Sequence, residues 1–172
     1  MQDTVATIGV AAQGCPTDGP PPDAEETQLD AAGLVQLSAL VQGAFARIAY
    51  RHGLTPVQAR LLCVLAQGPR GMADLARCCG VEKAAITGLV DRAERRGLAK
   101  RAPVPGDRRA LRVTLTDAGR RSAVAFHAEA TAELSQLLSP LAPHDREQFR
   151  VAMAKITQSA GRTASLGACR GC

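Results

Sequence analysis

Two short apolar segments flank a single glycine between residues 72 and 97. Leu75, Ala76 and Cys79 precede Gly80, and Val81, Ile86 and Leu89 follow it. The spacing has a mechanical reason. Ala76 is small where the next helix must cross close over it, Gly80 takes the positive φ of a tight turn, and Ile86 closes the core between the two helices. This is the spacing of a helix-turn-helix, whose second helix enters the major groove of DNA. A helix, glycine and helix inside any bundle would repeat it.

Composition sets the surroundings of that unit. Of 172 residues 46% are apolar, with three Phe, one Tyr and no Trp, so the core is built from Leu, Val, Ile and Ala. That suffices for one domain. The abundance of Ala and Arg and the shortage of β-branched runs favour helices and exclude all-β, collagen-like and fully disordered chains.

Residues 1–23 are rich in Gly, Pro, Asp and Thr and end in Pro20, Pro21 and Pro22, which reads as a flexible acidic tail. From about Ala24 to Tyr50, Leu34, Leu37, Val41, Phe45 and Ile48 recur at helical spacing, with Gly53 as a stop. Thr55, Pro56 and Gln58 spell a capping box with Pro at the first helical position, and Gly68 and Pro69 end that second helix. A third runs from Met72 to about Cys78 and a fourth from about Glu82 to Arg96. After Gly97 the period changes. Leu111, Val113 and Leu115 alternate with Arg112 and Thr114 behind a Pro-Gly turn, predicting a β-hairpin with a cationic edge. Thr116 caps a fifth helix carrying Val124, Leu134, Leu137 and Leu138. A sixth carries Phe149, Met153 and Ile156, and 161–172 reads as a loose tail.

Charge is distributed unevenly along this order. Residues 1–30 hold six acids and no base, whereas residues 92–121 hold ten bases and three acids. Such a cationic block suits phosphate binding or a solvated surface. On the helix after Gly80, Lys83 and Thr87 are the expected groove contacts, with Arg92 outward beside them. Ala84 and Ala85 offer methyl contacts only, so direct base reading is thin. At the hairpin tip Asp107, Arg108 and Arg109 present guanidinium groups suited to a narrow minor groove, or an internal Asp107–Arg109 pair. Arg95, Arg96, Lys100, Arg101 and Arg112 read as phosphate-facing or merely solvated cations.

With these residues in place a resemblance follows. Asp107-x-Arg109, then five residues, then Leu115-Thr116-x-x-Gly119, preceded by Leu89-Val90-Asp91-Arg92 through Gly97-Leu98, resembles the winged-helix core of the MarR family of transcription regulators. The resemblance implies a mainly α fold with a small β-hairpin wing. It divides the chain into a winged helix-turn-helix at about 54–119, dimerisation helices at 24–51 and 117–160, and tails at 1–23 and 161–172. It also implies a sequence-specific repressor that binds an inverted repeat of double-stranded DNA as a homodimer and is released by a small phenolic or other anionic effector. Tyr50, His52 and Arg60 lie at the first helix junction, where such an effector crevice is expected. The branch of the family that senses peroxide through a cysteine in the first helix is not matched, because Cys15 lies before that helix.

Cys15, Cys63, Cys78, Cys79, Cys169 and Cys172 raise a second possibility, a thiol- or zinc-responsive sensor or a winged-helix protein-interaction module. Only Cys169-x-x-Cys172 has ligand spacing, and one pair is half a site. No metal, cofactor or catalysis is expected, since the chain has no phosphate loop, zinc-protease motif or nucleophile elbow. The uncharged stretch Ala31–Ala46 is short for a bilayer, and the N-terminus lacks the basic residues of a signal peptide. The expectation is a cytoplasmic protein with no membrane partner.

Overall fold

The computed structural model describes the backbone over residues 22–104 and 107–163, and side chains at 28, 30–103 and 111–159. Of the expected tails at 1–23 and 161–172, residues 1–21 and 164–172, with Cys15, Cys169 and Cys172, lie outside these residues, whereas 22–23 and 161–163 are helical. Helices α1 (Pro22–Arg51), α2 (Pro56–Ala66), α3 (Met72–Cys79) and α4 (Lys83–Arg95) precede strands β1 (Ala99–Val104) and β2 (Asp107–Leu115), and α5 (Asp117–Gln136) and α6 (Pro143–Thr163) follow. The chain forms two compact units, 1–38 and 39–172, with the division inside α1.

In the first unit α1 is exposed along most of its described length, Leu34 and Val35 included. The second unit holds the core. Its centre is α2, where Ala59, Leu61, Leu62, Cys63, Val64 and Leu65 are all buried. A helix apolar nearly all round belongs inside, and α3, α5 and β2 pack about it. Its start follows the capping box: the Gln58 amide donates to Thr55 Oγ1 at 3.3 Å, and the Thr55 amide donates to Gln58 Oε1 at 2.9 Å.

Segment Asp30–Arg51 of α1, with mean hydropathy 1.3, is long and apolar enough to cross a membrane by length and composition. The expectation of no such span rested on the uncharged stretch alone. Within the second unit this helix is committed to protein: Ala44, Ile48 and Ala49 are fully buried, and Phe45 meets Phe126 edge-on at 5.0 Å. The buried face of α5 also departs from expectation. Val124 is exposed, and Gly119, Ala123, Phe126 and Ala130 face the core, three small residues that let α5 approach closely and one large ring that fills the space. Leu137 and Leu138 lie beyond its end.

The hairpin is antiparallel, pairing Ala99 with Leu115 and Arg101 with Val113. A third segment that alternation did not reveal joins it at one point. The Arg70 amide donates to the Val113 carbonyl at 3.0 Å, and the Val113 amide returns the bond at 2.8 Å.

Candidate nucleic-acid interface

The turn between α3 and α4 closes on Gly80, at φ 67° and ψ 37°, and the Val81 amide donates back to the Ala76 carbonyl at 3.0 Å. Only glycine enters this left-handed region without strain. Helix α4 then divides cleanly: Ile86, Leu89, Val90 and Ala93 are buried, whereas Lys83, Ala84, Thr87, Arg92 and Arg95 are exposed. The outward face is shallow in the middle. At Gly88 the side nearest the missing Cβ is occupied only by the Arg92 guanidinium, whose Nη1 would lie 3.3 Å from it. Long cations thus border a smooth strip of Ala84, Thr87 and Gly88.

The strands continue the cationic surface. Lys100 lies opposite Thr114, and Ala102 opposite Arg112. Alternation puts Lys100 and Arg112 on the solvent face while Ala99, Val113 and Leu115 turn into the core. Among the described residues Lys83, Arg92, Arg95, Lys100 and Arg112 form no ion pair. Asp107, Arg108 and Arg109 open β2, and their side chains lie outside the described residues.

Two of the expected phosphate cations have partners within the fold. Arg101 is half-buried, its Nη2 at 2.7 Å from Asp91 Oδ1 and its Nη1 against Glu94. Arg96 donates to Gln58 Oε1 at 3.3 Å, at the start of α2. No spacing rule links β1 to α4, so tertiary structure alone assigned these partners.

The residues expected around an effector separate as well. A cavity of about 700 Å³ lies between the second half of α1, the start of α2, the turn after α3, and α5. Arg60 lines it, together with Gln42, Cys63, Gly80, His127 and Thr131. Tyr50 and His52 do not line it. Tyr50 is exposed, and His52 Nε2 lies 2.6 Å from Glu129 Oε2. His52 belongs to a polar ladder between α1 and α5. Arg47 meets Glu133 at 3.0 Å, and Arg51 meets Glu129 at 2.7 Å and also Glu133. The hydrogen bond from His52, reinforced by Arg51, holds the Glu129 carboxyl below its usual range, and Arg51 with Arg47 does the same for Glu133. Helical spacing gives each of these residues a face but not a partner. Cys63 and Cys79 are buried. Among the described residues no three metal-capable side chains gather.

Comparison with known proteins places these features in context. The sequence profile of the MarR family matches residues 52–110, from the end of α1 into the wing. The HTH-type transcriptional repressor NicR of Pseudomonas putida is 42% identical over 67 residues, spanning 38% of this chain and 42% of NicR. A crystal structure described as a probable transcriptional regulator from Pseudomonas aeruginosa is 35% identical at a TM-score of 0.57, covering 72% of this chain and 92% of that one. The structure of CouR from Rhodococcus jostii bound to p-coumaroyl-CoA is 26% identical at a TM-score of 0.60, covering 72% of this chain and 87% of CouR.

Proposed function

The chain belongs to the MarR family of winged helix-turn-helix regulators, and from that premise we propose that it represses transcription by binding an inverted repeat of double-stranded DNA as a homodimer. One observation carries this reading: the exposed face of α4 carries Lys83, Arg92 and Arg95 beside a smooth helix surface, the solvent face of the hairpin carries Lys100 and Arg112, and none of the five forms an ion pair among the described residues. Helix α4 lies in the major groove with Lys83, Ala84 and Thr87 toward base edges. Arg92, Arg95, Lys100 and Arg112 hold phosphates, and Arg109 at the wing enters the adjacent minor groove.

The dimer rests on apolar surface. Along α6, Val151, Met153 and Ile156 are exposed, and only Phe149 is half-buried among its described side chains. Leu34, Val35 and Leu40 of α1 are exposed too. Apolar surface on helices at both ends of the chain suits a twofold partner, which would set the two recognition helices about 34 Å apart, one turn of DNA.

An effector then acts through the cavity beside Arg60. Arg60 supplies a guanidinium to an anionic group, and apolar walls take an aromatic body. CouR, crystallised with p-coumaroyl-CoA, is a relative with a ligand of that character. Occupancy that favours another spacing of the two α4 helices lowers DNA affinity by linkage. The reading implies a protein that works in the cytoplasm and performs no catalysis.

The test is fluorescence anisotropy against duplexes upstream of the protein's own gene and duplexes enriched from a randomised pool, each beside a scrambled control at several salt concentrations. Tight, selective binding with a slope of about −0.9 per phosphate contact is expected. Weak and equal binding to all duplexes overturns the reading.

A further inference from the structure

A two-stranded hairpin is marginally stable alone, and this one has few anchors. At its base Ala99 and Leu115 are buried, and Val113 is held by its paired bonds to Arg70. The next pair outward on the same face, Pro103 with Leu111, is exposed. Arg101 is therefore the last position on β1 whose hydrogen bonds reach outside the hairpin among the described residues. Its backbone amide donates to Glu94 Oε1 at 2.7 Å, and its guanidinium reaches both Glu94 and Asp91. Side chain and main chain of one wing residue thus clamp two positions about one turn apart on α4.

We propose that Arg101 is the positioning residue that fixes the wing against the recognition helix, so that groove and wing contacts engage one DNA site in a single register. The proposal rests on the DNA-binding reading above. The planar guanidinium matters because it spans two carboxylates at once, which a lysine ammonium does at most in part. Asp91 sits on the half-exposed edge of α4, and binding Arg101 also fixes where that carboxylate lies.

Amide hydrogen exchange of the free protein and a double-mutant cycle on DNA test this together. Arg101→Met and Arg101→Lys should both raise exchange in β1 and β2 while amides of α2 stay protected, and both should lower operator affinity, by roughly ten-fold for Met. Arg112→Ala should weaken binding in the parent protein and have much less effect beside Arg101→Met, because a released wing no longer presents Arg112 to the backbone. Asp91→Asn, a milder change, should also lower affinity. Unchanged wing exchange overturns the proposal whether or not DNA binds. Full rescue by Lys, additive effects of Arg101 and Arg112, or tighter binding by Asp91→Asn would each mean that Arg101 acts only as a charge. A parent protein that fails to distinguish duplexes defeats the DNA-binding reading, and wing exchange then decides the clamp alone.

Discussion

Gly119 and Leu98 touch through main chain. A Cβ built on Gly119 would fall 2.8 Å from the Leu98 carbonyl carbon and nearer still to its oxygen, so no side chain fits between the first turn of α5 and the base of the wing. The same carbonyl accepts from the Thr116 amide at 3.1 Å, while Thr116 Oγ1 accepts from the Gly119 amide at 3.0 Å and donates to the Gly97 carbonyl at 2.6 Å. The Leu115-Thr116-x-x-Gly119 string is therefore a joint: Leu115 enters the core, Thr116 caps and ties, and Gly119 permits the approach.

Gly119→Ala sets two effects against each other. Helix propensity favours Ala by about 1 kcal/mol, whereas displacing packed main chain costs roughly 1–3 kcal/mol. The clash involves backbone that cannot rotate away, so a net loss of stability is expected in urea unfolding. A gain would mean that α5 stands farther from Leu98 than described.

Thr116→Val keeps the volume and removes both hydroxyl bonds. Loss of the cap costs about 1 kcal/mol, and the Gly97 carbonyl loses its donor as well. Thermal unfolding should report a drop larger than that of Thr55→Val, whose hydroxyl serves only its own capping box among the described contacts.

Gly80 stands at φ 67° with ordinary space where a Cβ would go, the nearest atom being Arg60 Nη1 at 3.7 Å. The penalty for substitution is thus conformational rather than steric, roughly 1–2 kcal/mol for an ordinary residue. Gly80→Val should be clearly destabilised in chemical unfolding and Gly80→Asn much less, because Asn tolerates this backbone region. Equal losses would move the cause from backbone to cavity.

The ladder between α1 and α5 gives a pH dependence with a definite sign. Glu129 and Glu133 have folded pKa values below the usual carboxylate range, so their contribution is complete above that range and lost as pH falls through the lowered values. Stability should be level from neutral pH to the upper edge of carboxylate titration and fall below it. Glu133→Gln should flatten that acid limb when unfolding is followed against pH. An unchanged limb would assign the acid sensitivity to other carboxylates.

Arg109→Ala should weaken operator binding and make its salt slope less steep, with the sedimentation of the protein unchanged. Unaltered affinity and slope would remove the wing tip from the interface.

Local chemistry was written in the sequence. Thr55, Pro56 and Gln58 specify the start of α2, Gly80 the turn, and alternation from Leu111 to Leu115 the strand, since each depends on a residue's own backbone preferences and near neighbours. Tertiary structure decided what faces what. Arg101 was one cation in a basic block until the fold brought it to Asp91 and Glu94, and Arg96 turned to Gln58 for the same reason. His52 left the expected crevice for Glu129, while Arg60 stayed at its wall. Helical period assigned Val124 to a core that Phe126 and Ala130 occupy. Periodicity fixes the angle between residues on one element, whereas partners across elements depend on distances that only packing of the whole chain sets.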